Sequence, residues 1–194
     1  MASEVSICNL GLTKIGEEQI LSLTEDSKAG RLCNLHYPHL RDTVLRSHLW
    51  NFAIKRVALA VNTTAPVYDF DNAFALPSDL IRILDTNLLN ESEWKIENNN
   101  LIADDSAVSI RYVARITDTN EFDILFVEAL ACRIAAELAQ PLADNLTLVD
   151  AMFQLYEKKL RDARSADSQE GTPDNITADA WLDARLGYIS PYNA

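Results

Sequence analysis

The sequence is poor in glycine, with five glycines in 194 residues. None of them belongs to a GxGxxG fingerprint or a P-loop, the two glycine-rich motifs that cradle phosphate groups. The GxSxG elbow of hydrolases and the HExxH motif of zinc proteases are absent as well. The common motifs of nucleotide binding, acyl transfer and metal-assisted hydrolysis are therefore missing.

Positive charge is also scarce. The chain has 17 Lys and Arg residues against 29 Asp and Glu residues, which gives a formal net charge of −12. A protein that grips free nucleic acid displaces counterions from phosphates with a surplus of cations. Any contact of this chain with DNA is therefore expected to be passive.

Long apolar runs and export signals are missing. No stretch of about 18 consecutive apolar residues occurs, so no membrane span is expected, and the first residues lack the basic and apolar regions of a secretory signal. The three cysteines, Cys8, Cys33 and Cys132, are odd in number and far apart. We expect buried, reduced thiols in a protein made in a cytoplasm, rather than a disulfide or a metal site.

Helical periodicity appears in the two outer parts of the chain. An apolar fraction of 48% with 24% charged residues is typical of a globular domain. Apolar residues at steps of three and four predict four helices. Pro38 lies within the second and is expected to kink it, and Pro141 is expected to end the third. The predicted helices span residues 3–15, 26–47, 121–140 and 144–164.

The segment between the second and third helices has the period of β-strands. Val108, Ile110, Tyr112, Ala114 and Ile116 alternate with more polar residues, as in a half-buried antiparallel strand. Residues 98–100 are three asparagines, which favour a tight turn between two strands. The pattern predicts six short extended runs, all between residues 52 and 116.

These elements predict an α+β fold. We expect a four-helix bundle with one small antiparallel β unit inserted between helices 2 and 3, followed by an extended C-terminal arm. The corresponding domains are a discontinuous helical domain, an inserted β domain and the arm, at residues 1–50 with 117–165, 51–116 and 166–194. The third helix is apolar nearly all round, so it should be buried within the fold or against another subunit.

One stretch inside the β unit, YDFDNAFALPSD at residues 68–79, combines aromatic residues with a turn signal. We expect Tyr68, Phe70 and Phe74 to supply packing area and Pro77 to end their strand. Ser78 or Asp79 would then cap a tight turn.

Three groups of residues have both a functional and a structural interpretation. His36 and His39 have a spacing that could ligate a metal, but Pro38 lies between them, so structural or interface histidines are favoured. Asp69 and Asp71 form a carboxylate pair, for which a solvated strand edge is favoured over acid–base chemistry. Trp50 stands where the helical period ends, and a core anchor is favoured over a ligand-stacking residue.

The last 29 residues differ in composition from the rest. Residues 166–180 are polar, and this composition predicts a linker. Large apolar side chains then crowd into the last fourteen residues, which predicts that this segment docks onto a partner surface. These residues are Trp181, Leu182, Leu186, Tyr188, Ile189 and Tyr192.

Residues 37–60 read YPHLRDTVLRSHLWNFAIKRVALA. This run resembles the tail tubular protein A family. The resemblance extends upstream to Leu10-Gly11 and Ile15-Gly16, and downstream to the Tyr-x-Phe and Leu-Pro-x-Asp-Leu-Ile-Arg-Ile segments. Members of that family are head-to-tail adaptors of short-tailed bacteriophages and prophages. The resemblance covers about residues 3–160, and its most specific part is the WNFA segment at residues 50–53. The final thirty residues match no part of the family pattern.

The resemblance implies a structural virion protein rather than an enzyme, with no catalytic residue, metal or cofactor. Family members form a ring, typically dodecameric, between the portal protein and the tail nozzle protein, and the genome passes through it during ejection. An acidic ring lumen would let DNA slide, since it repels phosphate. The alternative is a soluble hydrolase or binding protein with an unrecognised site.

Two further sets of residues are candidates within such an adaptor. Trp50, Asn51 and Phe52 are expected to form the structural junction between helices and strands, with Asn51 capping backbone groups. The polar segment 91–100 is expected to face the tail, because polar hairpins are better suited to a rim than to a core. Its acidic residues are Glu91, Glu93 and Glu97.

Overall fold

The computed structural model describes residues 3–88 and 93–170. In this part of the chain two helices precede six strands and two helices follow them. Short 3₁₀ turns at Asn51–Ala53 and Thr119–Glu121 connect the two kinds of structure. The helices are α1 (Glu4–Lys14), α2 (Lys28–Arg46), α3 (Ile124–Ala143) and α4 (Leu146–Asp167), and the strands are β1 (Ile54–Ala58), β2 (Asn72–Ala75), β3 (Leu80–Thr86), β4 (Trp94–Glu97), β5 (Asn100–Ala103) and β6 (Ser109–Ala114).

Each helix begins at a residue whose side chain accepts hydrogen bonds from the first turn. Ser3 forms a capping box with Ser6 at α1, and Ser27 accepts from the Gly30 N–H at α2. Asp123 and Asn145 cap α3 and α4 in the same way. These side chains satisfy N–H groups that have no partner within the helix, which explains why the helices start where they do.

Helix α3 lies at the centre of the helical part. It packs against α1, α2 and α4, and eleven of its twenty residues are buried. Its apolar surface is therefore covered by the chain's own helices, not by a neighbouring subunit. None of the helices in the described ranges is long and apolar enough to cross a membrane.

The predicted end of α3 is wrong. The helix continues through Pro141 to Ala143 instead of stopping before the proline. Asp144 then adopts a left-handed conformation with φ 47°, and its N–H donates to the Gln140 carbonyl oxygen. A proline this close to the C-terminus disturbs only the last turn, and the left-handed residue closes the helix after it.

The strands form two antiparallel sheets. One has the order β1-β6-β3 and the other the order β2-β5-β4. After β1 the chain continues alongside β2, where Val61 bridges to Phe74 and the Asn62 N–H donates to the Ala73 carbonyl oxygen. Residues 59–62 therefore lead directly from the first sheet to the second.

The predicted fold class is wrong. The strands form two three-stranded sheets rather than a single small β unit. The helices are arranged around α3 rather than as a four-helix bundle, because α4 packs mainly along α3 and α1 has little contact with α2. Sequence alternation identified extended segments but not their partners, which lie up to 59 residues apart along the chain, as for Ile54 and Val113.

The YDFDNAFALPSD stretch folds differently from the prediction at both of its ends. Asp69 has φ 69°, and the Phe70 N–H donates to the Tyr68 carbonyl oxygen, which makes a γ-turn. The turn leaves the Tyr68 side chain 77% exposed, so its predicted packing role is wrong, whereas Phe70 and Phe74 are buried.

The turn after β2 uses its aspartate for a contact between strands. The Leu80 N–H donates to the Pro77 carbonyl oxygen and closes the turn. The Asp79 carboxylate accepts from Lys55 Nζ and from the Tyr112 hydroxyl, each at 3.0 Å. Asp79 therefore ties the turn to β1 and β6 instead of capping it.

The asparagine turn is confirmed. β4 ends at Glu97 and β5 begins at Asn100, and these two residues pair across the turn. Asn98 and Asn99 have φ of 46° and 60°, the left-handed values that a two-residue hairpin requires at both positions.

Candidate functional site

Trp50 lies at the junction between α2 and the first sheet, with a side chain that is 0% exposed. Its indole N–H donates to the Val44 carbonyl oxygen at 3.0 Å, so the buried polar atom is satisfied. The His48 and Phe126 rings meet the indole edge-on, with centroids 4.8 and 5.1 Å away. Trp50 thus connects the end of α2 to α3.

Phe52 extends the same aromatic cluster. Its ring lies 5.1 Å from Phe126 and 5.9 Å from Phe122, centroid to centroid. Such tilted and edge-on pairs add stabilisation beyond the area they bury. The cluster therefore joins the first residues after α2 to the start of α3.

Asn51 binds a residue that the sequence did not single out, Asp167 at the end of α4. The Asn51 N–H donates to one carboxylate oxygen of Asp167 at 3.0 Å, and Asn51 Nδ2 donates to the Asp167 carbonyl oxygen at 2.6 Å. The second carboxylate oxygen lies 3.0 Å from His48 Nε2. Asn51 therefore caps backbone at the junction, and the backbone that it caps belongs to α4.

A second contact holds the same two helix ends together. Arg164 of α4 donates to the Ser47 carbonyl oxygen at 2.7 Å. Asp167 itself is 8% exposed, which is unusual for a carboxylate and is explained by its several hydrogen bonds. No local pattern identifies Asp167, because its partners lie 116 and 119 residues away in the sequence.

The His48–Asp167 pair has the geometry of a histidine oriented by a carboxylate. A nucleophilic triad also needs a hydroxyl or thiol within hydrogen-bond reach of the other imidazole nitrogen. In the described part of the chain His48 contacts the Asp167 carboxylate and the Trp50 ring, and neither supplies such a nucleophile. The pair is therefore explained as a structural contact that holds the end of α2 against the end of α4.

The other ionisable candidates are scattered. His36 is half-buried and His39 exposed, both on α2, and Asp69 and Asp71 are exposed around the γ-turn. Among residues 3–88 and 93–170 no group of three or more His, Cys, Asp or Glu residues could hold a metal ion.

The three cysteines are buried and free. Burial raises the pKa of the Cys132 thiol above its ordinary value. A raised thiol pKa lowers the fraction of reactive thiolate at neutral pH. Cys132 therefore behaves as a small apolar side chain of the core.

The predicted tail-facing residues lie in or near β4. All four residues of β4 are exposed, including Glu97, and Glu93 directly before the strand is exposed too. Glu91 lies outside the described residues. β4 is an edge strand, so its outer backbone groups face away from the sheet.

A groove adjoins this hairpin. It has a volume of about 560 Å³ and lies between residues 62–70 and the β4–β5 hairpin. Lys95 Nζ lies 5.3 Å from the centroid of the Phe70 ring on its wall, and the neighbouring Val67 is almost fully exposed. This end of the molecule therefore presents a concave surface of mixed polarity beside the acidic residues of the hairpin.

The six predicted interface residues between Trp181 and Tyr192 lie outside the described residues. The chain reaches them from the junction, because α4 ends at Asp167 and residues 168–170 form the turn that follows. The residues that lead into the arm are thus fixed to Asn51 and His48.

Comparison with known proteins adds no relative: no family model matches the chain, and no curated protein matches it.

Proposed function

We propose that the chain is a head-to-tail adaptor of a bacteriophage, a tail tubular protein A-like virion protein that forms a ring between portal and tail nozzle. The proposal rests on the resemblance of residues 37–60 to that family. In the structure this run comprises the second half of α2, the Trp50 junction and β1. The residues that carry the resemblance thus also hold helices and strands together.

The charge of the chain supports this role. With a net charge of −12, copies arranged in a ring would present a lumen that repels phosphates. DNA in the lumen would then make only passive contacts, as genome passage requires. The proposed partners are the portal protein, the nozzle protein and further copies of this chain, in a dodecameric ring.

The experiment that tests the proposed function is sedimentation of the purified protein with its portal. An adaptor is expected to sediment with the portal in several copies per portal ring. A protein that stays at the top of the gradient with its portal present would contradict the proposal. Monomeric behaviour without the portal would not, since a portal can template the ring.

The orientation of the ring is a separate proposal, in which the β4–β5 hairpin faces the nozzle. Reversing the charges of Glu91, Glu93 and Glu97 to Lys should weaken nozzle attachment and leave portal binding intact, because exposed rim charges act on their nearest partner. Reversing three acidic residues on the exposed face of α4, Asp150, Glu157 and Asp162, provides a matched control. Loss of portal binding in the hairpin variant would mean that the ring is inverted.

A further inference from the structure

Two exposed arginines lie on one face of the β1-β6-β3 sheet. Arg56 of β1 is opposite Arg111 of β6, and Arg82 of β3 is opposite Val113 of the same strand. Arg111 and Val113 are two residues apart, so their side chains and those of their partners point to one face. With strands ~4.8 Å apart and a rise of ~3.4 Å per residue, the offset of two residues along the strands places the backbones of Arg56 and Arg82 about 12 Å apart. We call Arg56, Arg82 and Arg111 the arginine face.

The arginine face carries excess positive charge. Arg56 and Arg82 are exposed, and neither has an ion pair with any residue in the described ranges. The nearby Asp85 carboxylate lies 3.9 Å from Arg111. In a chain with a net charge of −12, two exposed arginines on one face of a small sheet form a local exception that suits an anionic partner.

The same chain carries the opposite charge at one end of the other sheet. Asp71 and Asp104 are neighbours there, because the Asp71 N–H donates to the Asp104 carboxylate at 3.1 Å. Asp105 follows directly, and Asp69 forms the γ-turn two residues before Asp71. We call these four residues the aspartate end; Asp69, Asp71 and Asp104 are exposed.

We propose that the arginine face of one copy binds the aspartate end of the next copy, an inference that rests on the proposed ring function. The two surfaces consist of different residues on different sheets, so a contact between them is head-to-tail. A head-to-tail contact repeats from copy to copy and closes into a ring when the rotation permits. This contact defines one subunit–subunit interface of the adaptor.

A second copy fits the arginine face better than DNA does. Strong binding to a duplex needs several phosphate contacts from a basic surface, whereas the arginine face offers three arginines with an aspartate beside them. The net negative charge of the chain also repels a polyanion at long range. The aspartate end, in contrast, is present on every copy at the same concentration as the arginine face.

The test uses two variants with reversed charges. In each variant only one of the two surfaces is changed, and the other is left as in the unaltered chain. The first is Arg56→Glu with Arg82→Glu, and the second is Asp71→Lys with Asp104→Lys and Asp105→Lys. Each variant alone places charges of the same sign on both sides of every subunit contact, so far fewer copies should remain on the portal than with the unaltered chain. Raising the salt concentration should weaken the contact of the unaltered chain, because salt screens exposed charges.

Mixing the two variants in equal amounts provides the decisive measurement. In an alternating ring every contact is then either native or reversed in the sign of both surfaces, so the mixture should recover the copy number of the unaltered chain. The matched controls change the same number of charges on the exposed face of α4: Lys158→Glu with Arg161→Glu, and Asp150→Lys with Glu157→Lys and Asp162→Lys. Both controls should assemble normally without mixing.

The possible failures can be told apart. Variants that assemble as well as the unaltered chain, or a mixture that does not recover, overturn the inference while ring formation by the unaltered chain still supports the proposed function. Binding of a labelled duplex that the first variant loses, without loss of assembly, would assign the arginine face to DNA and overturn the inference. An unaltered chain that never assembles on the portal overturns both proposals.

Discussion

The buried indole of Trp50 connects the end of α2 to α3. It forms T-shaped pairs with the His48 and Phe126 rings, and its N–H donates to the Val44 carbonyl oxygen of α2. A side chain of this size without solvent exposure contributes through both apolar burial and close packing. At the scale of single residues, Trp50 fixes the end of α2 to α3 at the point where the chain leaves the helix for the first sheet.

Replacing Trp50 by Ala should lower the free energy of unfolding by roughly 3–5 kcal/mol, the usual cost of removing a buried aromatic side chain. Denaturant unfolding would measure the loss. Trp94→Ala is a matched control, because Trp94 on edge strand β4 is 38% exposed and should cost clearly less. Equal losses for the two variants would show that Trp50 is not a special anchor.

Asp79 gives the protein a pH-dependent contact. Burial raises the pKa of its carboxyl group, but the hydrogen bonds from Lys55 and Tyr112 outweigh this effect and hold the pKa below its ordinary value. Burial, followed by the bond to Asp79, raises the pKa of Tyr112 to about 12. A carboxyl group with a lowered pKa stabilises the fold at pH values above its pKa in the unfolded chain, and this stabilisation is lost as the pH falls.

The Asp79→Asn variant should therefore melt at a lower temperature than the unaltered chain at pH 7. The difference should shrink as the pH falls through about 4 and below, where the unfolded-state carboxyl and then the native one become protonated. Thermal melts from pH 7 to pH 3 would measure it. A difference that stays constant over this range would show that the ionised carboxylate contributes nothing.

At the scale of elements, the packing of α1 on α3 depends on a residue without a side chain. A Cβ atom at Gly11 would lie 3.0 Å from the Ala131 carbonyl oxygen and 3.1 Å from a methyl group of Ile134. The two helices approach so closely at this point that any larger residue must push them apart.

Gly11→Ala should consequently destabilise the protein by about 1–3 kcal/mol, the typical cost of overpacking, although alanine is the better helix former. Chemical denaturation would measure the change. Thr13→Ala on the exposed side of α1 is the control and should be nearly neutral. A stabilised Gly11→Ala variant would contradict the close approach of the two helices.

The helices were predictable because their signals are local. Ser3 and the apolar steps of α2 and α4 lie within the segments that they define, and the structure places all four helices within a few residues of the prediction. Strand pairing is different. Alternation in β6 fits either sheet equally well, and only the tertiary fold pairs β6 with β1 and β3.

The candidate site shows the same division. The position of Trp50 at the end of the helical period indicated a junction, and the structure buries it there. Asp167 was not predictable, because nothing in its surroundings on α4 distinguishes it from the exposed Asp162. Its role depends on Asn51 and His48, which only the folded chain brings close.

At the scale of the whole molecule, the C-terminal arm is proposed to bind the portal or an adjacent subunit. The described residues already form a continuous hydrophobic core from Ile7 to Ala163. We therefore expect deletion of residues 176–194 to leave the melting temperature nearly unchanged and to abolish assembly on the portal, because large aromatic anchors dominate binding energy. Their effect is multiplied in a ring.

A full-length variant with Trp181→Ala and Tyr188→Ala distinguishes the effect of losing the aromatic side chains from the effect of shortening the arm. It should lose assembly to a similar degree, as measured by co-sedimentation with the portal. Truncated protein that still assembles would show that the arm is not the interface. A marked fall in its melting temperature would show that the arm belongs to the folded body.

The most direct measurement of the proposed function is the mass of the complex between this protein and its portal, taken by native mass spectrometry. A head-to-tail adaptor should add a fixed, multiple number of copies to each portal ring, and a dodecameric adaptor should add twelve. A portal whose mass is unchanged in a saturating excess of this protein would contradict the adaptor function.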